Sequence, residues 1–114
     1  MEALSKQEIL NKLSELSKLT GLRLGLAGSY ARGTNKKNSD IDIVVDANTL
    51  TIEAMEGLKR AFKPRKADVL ITELLKDEDI ELDNFLLSIG LSKNEDSVYK
   101  SIMREVIWVG KELQ

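Results

Sequence analysis

The stretch LAGSYARGTNKKNSDIDIVVD, residues 26–46, leads from a small-residue turn through a polar loop into a segment where aspartates alternate with branched apolar residues. Successive side chains of a strand point to opposite faces, so Asp40, Asp42 and Asp46 would share one face. The other face carries Ile41, Ile43 and Val45, which we expect to pack into a core. Aligned carboxylates repel one another unless a cation lies between them. The pattern therefore predicts a divalent metal site above the strand, held by Asp40 and Asp42.

The turn GSYARG, residues 28–33, has the features of an anion-binding turn. Gly28 allows the backbone to turn tightly and to come close to a ligand, and Ser29 offers a hydroxyl and a backbone N–H. A short helix beginning here would direct unpaired N–H groups at an anion, and Arg32 would add a charge-assisted contact. A phosphate bound at this turn would lie near the metal site.

A third carboxylate, Asp68, lies in the otherwise apolar segment ADVLI, residues 67–71. An unpaired charge buried in such a strand would be costly, so we expect Asp68 to lie at the end of the sheet and to face a cation. If its strand neighbours the strand of Asp40 and Asp42, three carboxylates surround one metal site. In that position Asp68 could also accept a proton from an attacking hydroxyl.

The composition restricts the chemistry and the partners. The 114 residues include no cysteine and no histidine, so any metal ligands must be oxygen atoms, which favours Mg²⁺ or Mn²⁺. The net charge of −2 gives no overall attraction to nucleic acid, and an aromatic content of 4% argues against single-strand binding. No segment approaches the roughly 20 apolar residues of a membrane span, and the N-terminal residues lack the pattern of a signal peptide. We therefore expect a cytoplasmic protein.

Local patterns predict alternating helices and strands in one domain that spans residues 1–114. The segment SKQE, residues 5–8, has the form of a capping box, and apolar residues follow at helical spacing, so residues 5–19 are predicted to form an amphipathic helix. Gly21 would end this helix. Residues 22–27 then alternate with a period of two, as in a strand with one buried face.

The middle of the chain predicts a helix and a strand. An apolar stripe over residues 54–62 would form a helix that Pro64 ends, and residues 67–71 would form a strand. Between them lies the basic cluster KRAFKPRK, residues 59–66. We interpret this cluster as a solvated helix end, where cations suit the helix dipole; docking to a partner or to RNA phosphates is the alternative.

The last third carries weaker patterns. An acidic run covers residues 74–83, and we expect Asp77 or Asp79 to cap the helix that follows it. Tyr99 and Trp108 are interpreted as core or partner-contact residues. The predicted elements of this region are a helix through residues 82–89, a helix through residues 98–103 and a closing strand over residues 105–109.

A Gly-Ser pair, ten intervening residues and Asp-Ile-Asp resemble the signature of the nucleotidyltransferase superfamily whose core is similar to that of DNA polymerase beta. More narrowly, GSYARGTNKKNSDIDIVV resembles the minimal nucleotidyltransferases, the MNT or MntA-like antitoxins often paired with HEPN-domain toxins. The resemblance extends from about residue 24 to residue 71. It implies a fold of the α/β (α+β) class, with a single nucleotidyltransferase domain in which helices pack on a small mixed β-sheet.

The resemblance also implies residue roles and a reaction, the transfer of AMP from ATP to a hydroxyl. One Mg²⁺ ion would activate the acceptor oxygen and a second would stabilise the leaving pyrophosphate, the two lying about 3.5–4 Å apart. Carried over residue by residue, the resemblance implies nucleotide binding by Gly28, Ser29, Arg32 and Ser39, and Mg²⁺ binding and catalysis by Asp40, Asp42 and Asp68.

The sequence is compatible with three functions. The leading hypothesis is an antitoxin that transfers AMP to a tyrosine of a HEPN-type toxin, which would be a separate chain. The second is a non-catalytic antitoxin module that binds nucleotide or its partner. The third is an adenylyltransferase of a small molecule, similar to the enzymes that modify aminoglycosides, with an acceptor pocket completed by a homodimer. Asp46 has no role in the family pattern and is predicted to be solvated at the end of its strand.

Overall fold

The computed structural model describes residues 4–109 of the chain, and within this range there are five helices and four strands. Residues 1–3 and 110–114, the two ends of the predicted domain, lie outside the described range. No helix between residues 4 and 109 has the length and apolar character needed to cross a membrane. In chain order the elements are α1 (Lys6–Thr20), β1 (Arg23–Ala27), α2 (Gly28–Arg32), β2 (Ile41–Asp46), α3 (Ile52–Arg60), β3 (Ala67–Ile71), α4 (Thr72–Ser88), α5 (Val98–Glu105) and β4 (Ile107–Val109).

Helix α1 begins and ends as its sequence predicts. The Ser5 hydroxyl accepts a hydrogen bond from the Glu8 backbone N–H at 3.1 Å, and the Glu8 carboxylate accepts one from the Ser5 N–H at 2.8 Å. This reciprocal pair is the predicted capping box. Gly21 ends the helix in a left-handed conformation with a φ of 74°. Ile9 and Leu13 are fully buried, so the apolar stripe of α1 packs into the core.

The four strands form one mixed sheet in the order β3-β2-β1-β4. Strands β2 and β3 are parallel, whereas β1 is antiparallel to both of its neighbours. The prediction of one buried face for β1 was wrong. The sheet has an apolar core on each face. Leu24 and Leu26 are buried in the larger core, together with Ile9 and Leu13 of α1, and Gly25 and Ala27 are buried on the opposite face. The alternation misled because glycine and alanine differ from leucine in size and not in polarity.

Strand β2 separates apolar from charged side chains as predicted. Ile41, Ile43 and Val45 belong to the larger core, on the face of the sheet that α1 covers. Asp42 lies on the other face and is partly buried. Asp46 is exposed at the strand end, where its carboxylate lies 3.5 Å from the Arg23 guanidinium. The predicted solvated position of Asp46 is therefore correct, with a surface ion pair added to it.

The elements that follow β2 also match their patterns. Helix α3 ends at Arg60, shortly before Pro64, and β3 covers the predicted residues 67–71. Leu58 and Phe62 from the predicted stripe are buried in the larger core.

Helix α4 begins directly after β3, well before the predicted start of the helix in this region. The expectation that Asp77 or Asp79 caps a helix was wrong, because both lie in the interior of α4. Asp79 and Asp83 lie one turn apart and face α5. The Lys100 Nζ is 3.8 Å from Asp79 Oδ1 and 3.1 Å from Asp83 Oδ2. Part of the acidic run therefore forms ion pairs that hold α4 against α5.

Helix α5 confirms the predicted helix over residues 98–103, but the closing strand is shorter than predicted. Glu105 is the last residue of α5, and β4 begins at Ile107. Ile102 is buried in a smaller core on the second face of the sheet, and Trp108 packs against this core. The Arg23 guanidinium lies 4.1 Å from the centre of the Trp108 ring, a cation–π contact.

Apolar side chains of α4 and of the segment after it face solvent to an unusual extent. The helical spacing predicts a helix here, although α4 begins earlier than predicted, and a large part of its apolar surface is not covered by the described residues. Each of the following side chains is at least 40% exposed: Leu74, Ile80, Leu82, Phe85, Leu87, Ile89 and Leu91.

Candidate active site

The Gly28 turn joins β1 to the short helix α2 and lies against β2. Gly28 has a φ of 72°, a left-handed conformation that favours glycine. A Cβ atom at this position would overlap the carboxylate oxygen Oδ2 of Asp42. The glycine therefore serves two purposes, because it permits the turn and brings the backbone into contact with Asp42.

Asp42 and Asp68 occupy matching positions on adjacent parallel strands. The register of β2 and β3 places Asp42 beside Asp68, and the register of β1 and β2 places Ala27, the residue before the turn, on the other side of Asp42. The condition set by the sequence, that the Asp68 strand neighbours the strand of Asp42, is met. Burial raises the pKa of Asp42, and the negative charges of Asp68, Asp40 and Glu105 raise it further. The cation of Arg32 opposes this shift.

Asp40 precedes β2 and, like Asp42, is partly buried. Its side chain is 40% exposed, and its carboxylate lies 3.7 Å from the Lys66 Nζ. Among residues 4–109, no three acidic side chains are gathered closely enough to form a ready-made metal site. Mutual repulsion separates the carboxylates, and Asp40 pairs with the cation of Lys66 instead.

A cavity of about 600 Å³ lies between the Gly28 turn, the start of β2 and α5. This volume is within the range of small-molecule sites. Asp68 does not line the cavity, but it lies beside Asp42, which does. The predicted site residues that line the cavity are Gly28, Ser29, Arg32, Ser39, Asp40 and Asp42, and the opposite wall consists of Asp96, Val98, Ser101, Ile102 and Glu105.

Glu105 is the residue that the sequence did not reveal. Its Oε2 accepts a hydrogen bond from the Gly28 backbone N–H at 2.7 Å, and its Oε1 accepts one from the Arg32 Nη1 at 2.8 Å. The Glu105 side chain is only 19% exposed. The sequence pattern assigned it to a strand, and no local signal connects it with a turn 77 positions away.

The loop before β2 is fixed by part of the basic cluster. The Arg65 Nη2 donates to the Tyr30 hydroxyl at 2.8 Å and to the Ser39 carbonyl at 3.0 Å. The Ser39 hydroxyl accepts a hydrogen bond from the Lys36 backbone N–H at 2.7 Å. Together with the Lys66 contact to Asp40, this corrects the interpretation of residues 59–66 as a solvated helix end alone. Arg65 holds the loop in place at the cavity, whereas Lys66 makes a surface ion pair with Asp40.

The donor set fits a divalent cation. Asp40, Asp42 and Asp68 supply only carboxylate oxygens, which are the ligands that Mg²⁺ prefers. Burial and, after it, the neighbouring negative charges raise the pKa of Asp42, and the Arg32 cation opposes this shift only in part. A cation between the carboxylates would relieve that repulsion.

A Gly-Ser turn that packs against strand carboxylates and lines a cavity with them, on a small mixed sheet, is typical of nucleotidyl-transferring domains. The chain belongs to the family described as Nucleotidyltransferase domain, whose sequence profile matches residues 6–109. The match includes all seven predicted site residues and Glu105. A comparison with curated proteins finds no match.

Proposed function

We propose that this protein is a Mg²⁺-dependent nucleotidyltransferase that transfers AMP from ATP to a hydroxyl, and that the acceptor is a tyrosine of a partner HEPN-type toxin. The observation that carries the transferase part is the cavity itself. Backbone and side-chain donors at Gly28, Ser29 and Arg32 line it together with the carboxylate of Asp42, and Asp68 lies beside Asp42 in the sheet. Transfer of a nucleotidyl group needs both halves of this arrangement within reach of one triphosphate.

The donors of the turn bind and orient the phosphates. The Gly28 N–H and the Ser29 hydroxyl and N–H supply short-range hydrogen bonds, and Arg32 supplies a charge that neutralises phosphate oxygens. Ser39, which lines the same cavity, adds a hydroxyl near the carboxylates. Fixing the triphosphate in this way lowers the barrier by orienting the α-phosphorus towards the acceptor.

Asp40, Asp42 and Asp68 are the residues that would hold Mg²⁺. The ion supplies Lewis-acid chemistry, since it stabilises charge on the phosphoryl oxygens and favours ionisation of the acceptor hydroxyl. In the reaction, the acceptor oxygen bonds to the α-phosphorus as the bond to the β-phosphate oxygen breaks, and pyrophosphate leaves. The Asp68 carboxylate accepts the hydroxyl proton.

The proposal of a protein partner is supported by the exposed apolar surface of α4 and the segment after it. Apolar patches of this kind commonly mark sites of protein association. In this proposal the partner that covers this surface supplies the acceptor hydroxyl. The HEPN-type identity of the partner rests on the resemblance of the motif to the MntA-like antitoxins.

Replacement of Asp68 by Asn tests the proposed role of this residue as base. We expect turnover to fall on the order of a hundredfold, while the ATP dissociation constant changes by less than about threefold. Single-turnover rates and calorimetric titration with MgATP separate the two quantities. An equal loss of both would assign Asp68 to metal binding alone.

The proposed function is tested with ATP labelled at the α-phosphate. The purified protein and an Asp40→Asn/Asp42→Asn double variant are incubated with Mg²⁺, labelled ATP and a lysate of the source cells. Label on a protein, transferred only by the wild type, supports the proposal, and mass spectrometry then identifies the modified chain and residue. Label on a small molecule would favour the aminoglycoside-type reaction. Absence of label with either form, together with measurable ATP binding, would favour the non-catalytic binding module.

A further inference from the structure

Glu105 occupies the donors that the proposed function assigns to phosphate. Each carboxylate oxygen takes one of them, Oε2 the Gly28 N–H at 2.7 Å and Oε1 the Arg32 guanidinium at 2.8 Å. Hydrogen bonds to an ionised acceptor at these lengths are stronger than those between neutral groups. A carboxylate bridging a backbone N–H and a guanidinium has the same chemistry as a phosphate bound in that place.

The donors differ in whether they can be shared. The backbone N–H of Gly28 has a single hydrogen, which Glu105 already uses, so a phosphate oxygen can take it only if Glu105 leaves. Arg32 has five N–H groups and can contact a phosphate while keeping Glu105. The competition is therefore decided at Gly28.

The charge of Glu105 acts in the same direction. Glu105 lines the same cavity as Asp40 and Asp42 and adds a further negative charge to it. A triphosphate that enters this cavity meets the same negative charge. Moving the Glu105 carboxylate away would both release the Gly28 N–H and reduce the repulsion.

We propose that Glu105 is an internal competitor for the nucleotide, which holds the phosphate donors in the free protein and is displaced when the triphosphate binds. The inference rests on the proposed function, because it takes the triphosphate to bind at Gly28 and Arg32. It adds a regulatory contact to that site. Since Glu105 is the last residue of α5, its displacement links nucleotide binding to the position of the helix that ion-pairs with α4.

The test is calorimetric titration of ATP, with Mg²⁺ and without acceptor, into the wild type and the Glu105→Gln and Glu105→Ala variants. We expect both variants to bind ATP at least about tenfold more tightly than the wild type, since the competing charge is gone. The matched control is Asp96→Asn, which removes one charge from the same cavity. The Asp96 side chain is 91% exposed, and its ion pair is with Arg104, not with the turn. For this control we expect a change below about threefold.

Each other outcome overturns the inference in a distinguishable way. Unchanged or weaker binding by the Glu105 variants, with a wild type that binds ATP, would show that Glu105 positions Arg32, and the proposed function would stand. An equal gain in Asp96→Asn would assign the effect to general repulsion. If neither the wild type nor any variant binds ATP, the proposed function fails and the inference fails with it.

A measurement on the wild type keeps the inference testable if the Glu105 variants do not fold. In an NMR titration with inorganic triphosphate, the Gly28 amide and the Glu105 carboxyl carbon should shift together, with the same apparent dissociation constant. A Gly28 shift without a Glu105 shift would contradict the displacement of Glu105. The absence of both shifts would contradict the phosphate site itself.

Discussion

Replacement of Asp42 by Asn is expected to reduce nucleotidyl transfer on the order of a thousandfold and to raise the melting temperature by a few degrees. Asp42 touches the Gly28 turn, lines the cavity and lies beside Asp68, so it is the central carboxylate of the site. Activity falls because the amide does not neutralise or bind a divalent cation as a carboxylate does. Stability rises because the folded protein holds this charge against burial and three acidic neighbours.

The pH dependence of the stability difference gives the sign of this effect. The pKa of Asp42 is raised in the folded state above its ordinary value of 3.8, so the folded protein favours the protonated form. The destabilisation is absent below the unfolded pKa and fully present above the folded pKa. Thermal unfolding should therefore show the largest gain for Asp42→Asn near neutral pH, and the gain should vanish as the pH falls below about 4. A gain that does not change with pH would contradict the electrostatic explanation.

Asp46→Asn is the matched control for this substitution. Asp46 lies on the same face of β2, is exposed and does not line the cavity. We expect its loss to change the transfer rate by less than about twofold, because only a surface ion pair with Arg23 and a hydrogen bond from Thr72 are removed. Addition of Mg²⁺ should raise the melting temperature of the wild type and of Asp46→Asn, but not that of Asp42→Asn. Equal activity losses in the two variants would contradict the assignment of Asp42 to the site.

The part of the site that the sequence predicts is the part encoded locally. Alternation fixes the face of Asp42, and a glycine followed by serine at a strand end fixes the turn, since both depend on backbone periodicity within a few residues. The adjacency of Asp68 needed one further condition, the parallel pairing of β2 with β3, which the structure satisfies. The family resemblance then supplied the roles that geometry alone leaves open.

The features that could not be predicted from the sequence depend on contacts between distant segments or lack a local sequence signal. Glu105 meets Gly28 across 77 positions, and nothing near either residue marks the contact. The start of α4 is not predictable from a capping residue, because its N-cap residue, Ile71, makes no side-chain capping bond. The acidic residues were then interpreted as caps, although Asp79 and Asp83 pair with Lys100 of α5.

Replacement of Gly28 by Ala is expected to reduce nucleotidyl transfer on the order of a hundredfold or more, with a loss of stability of about 1–2 kcal/mol from the left-handed backbone alone. The φ of 72° disfavours any Cβ, and the new methyl group would overlap Asp42 Oδ2. Either the turn or the carboxylate must move, and both are parts of the site. The transfer rate and the free energy of unfolding are measured together.

Gly90→Ala separates backbone strain from the contact with Asp42. Gly90 has a φ of 86°, so alanine meets a similar backbone cost, but its Cβ would have no atom within 4 Å and it does not line the cavity. We expect the two variants to lose comparable stability while only Gly28→Ala loses activity. Equal activity in both would mean that the turn can accommodate a side chain, and the close approach of Gly28 to Asp42 would then be unnecessary for transfer. A loss confined to Gly28→Ala assigns the catalytic requirement for glycine to that approach, beyond the freedom of its backbone.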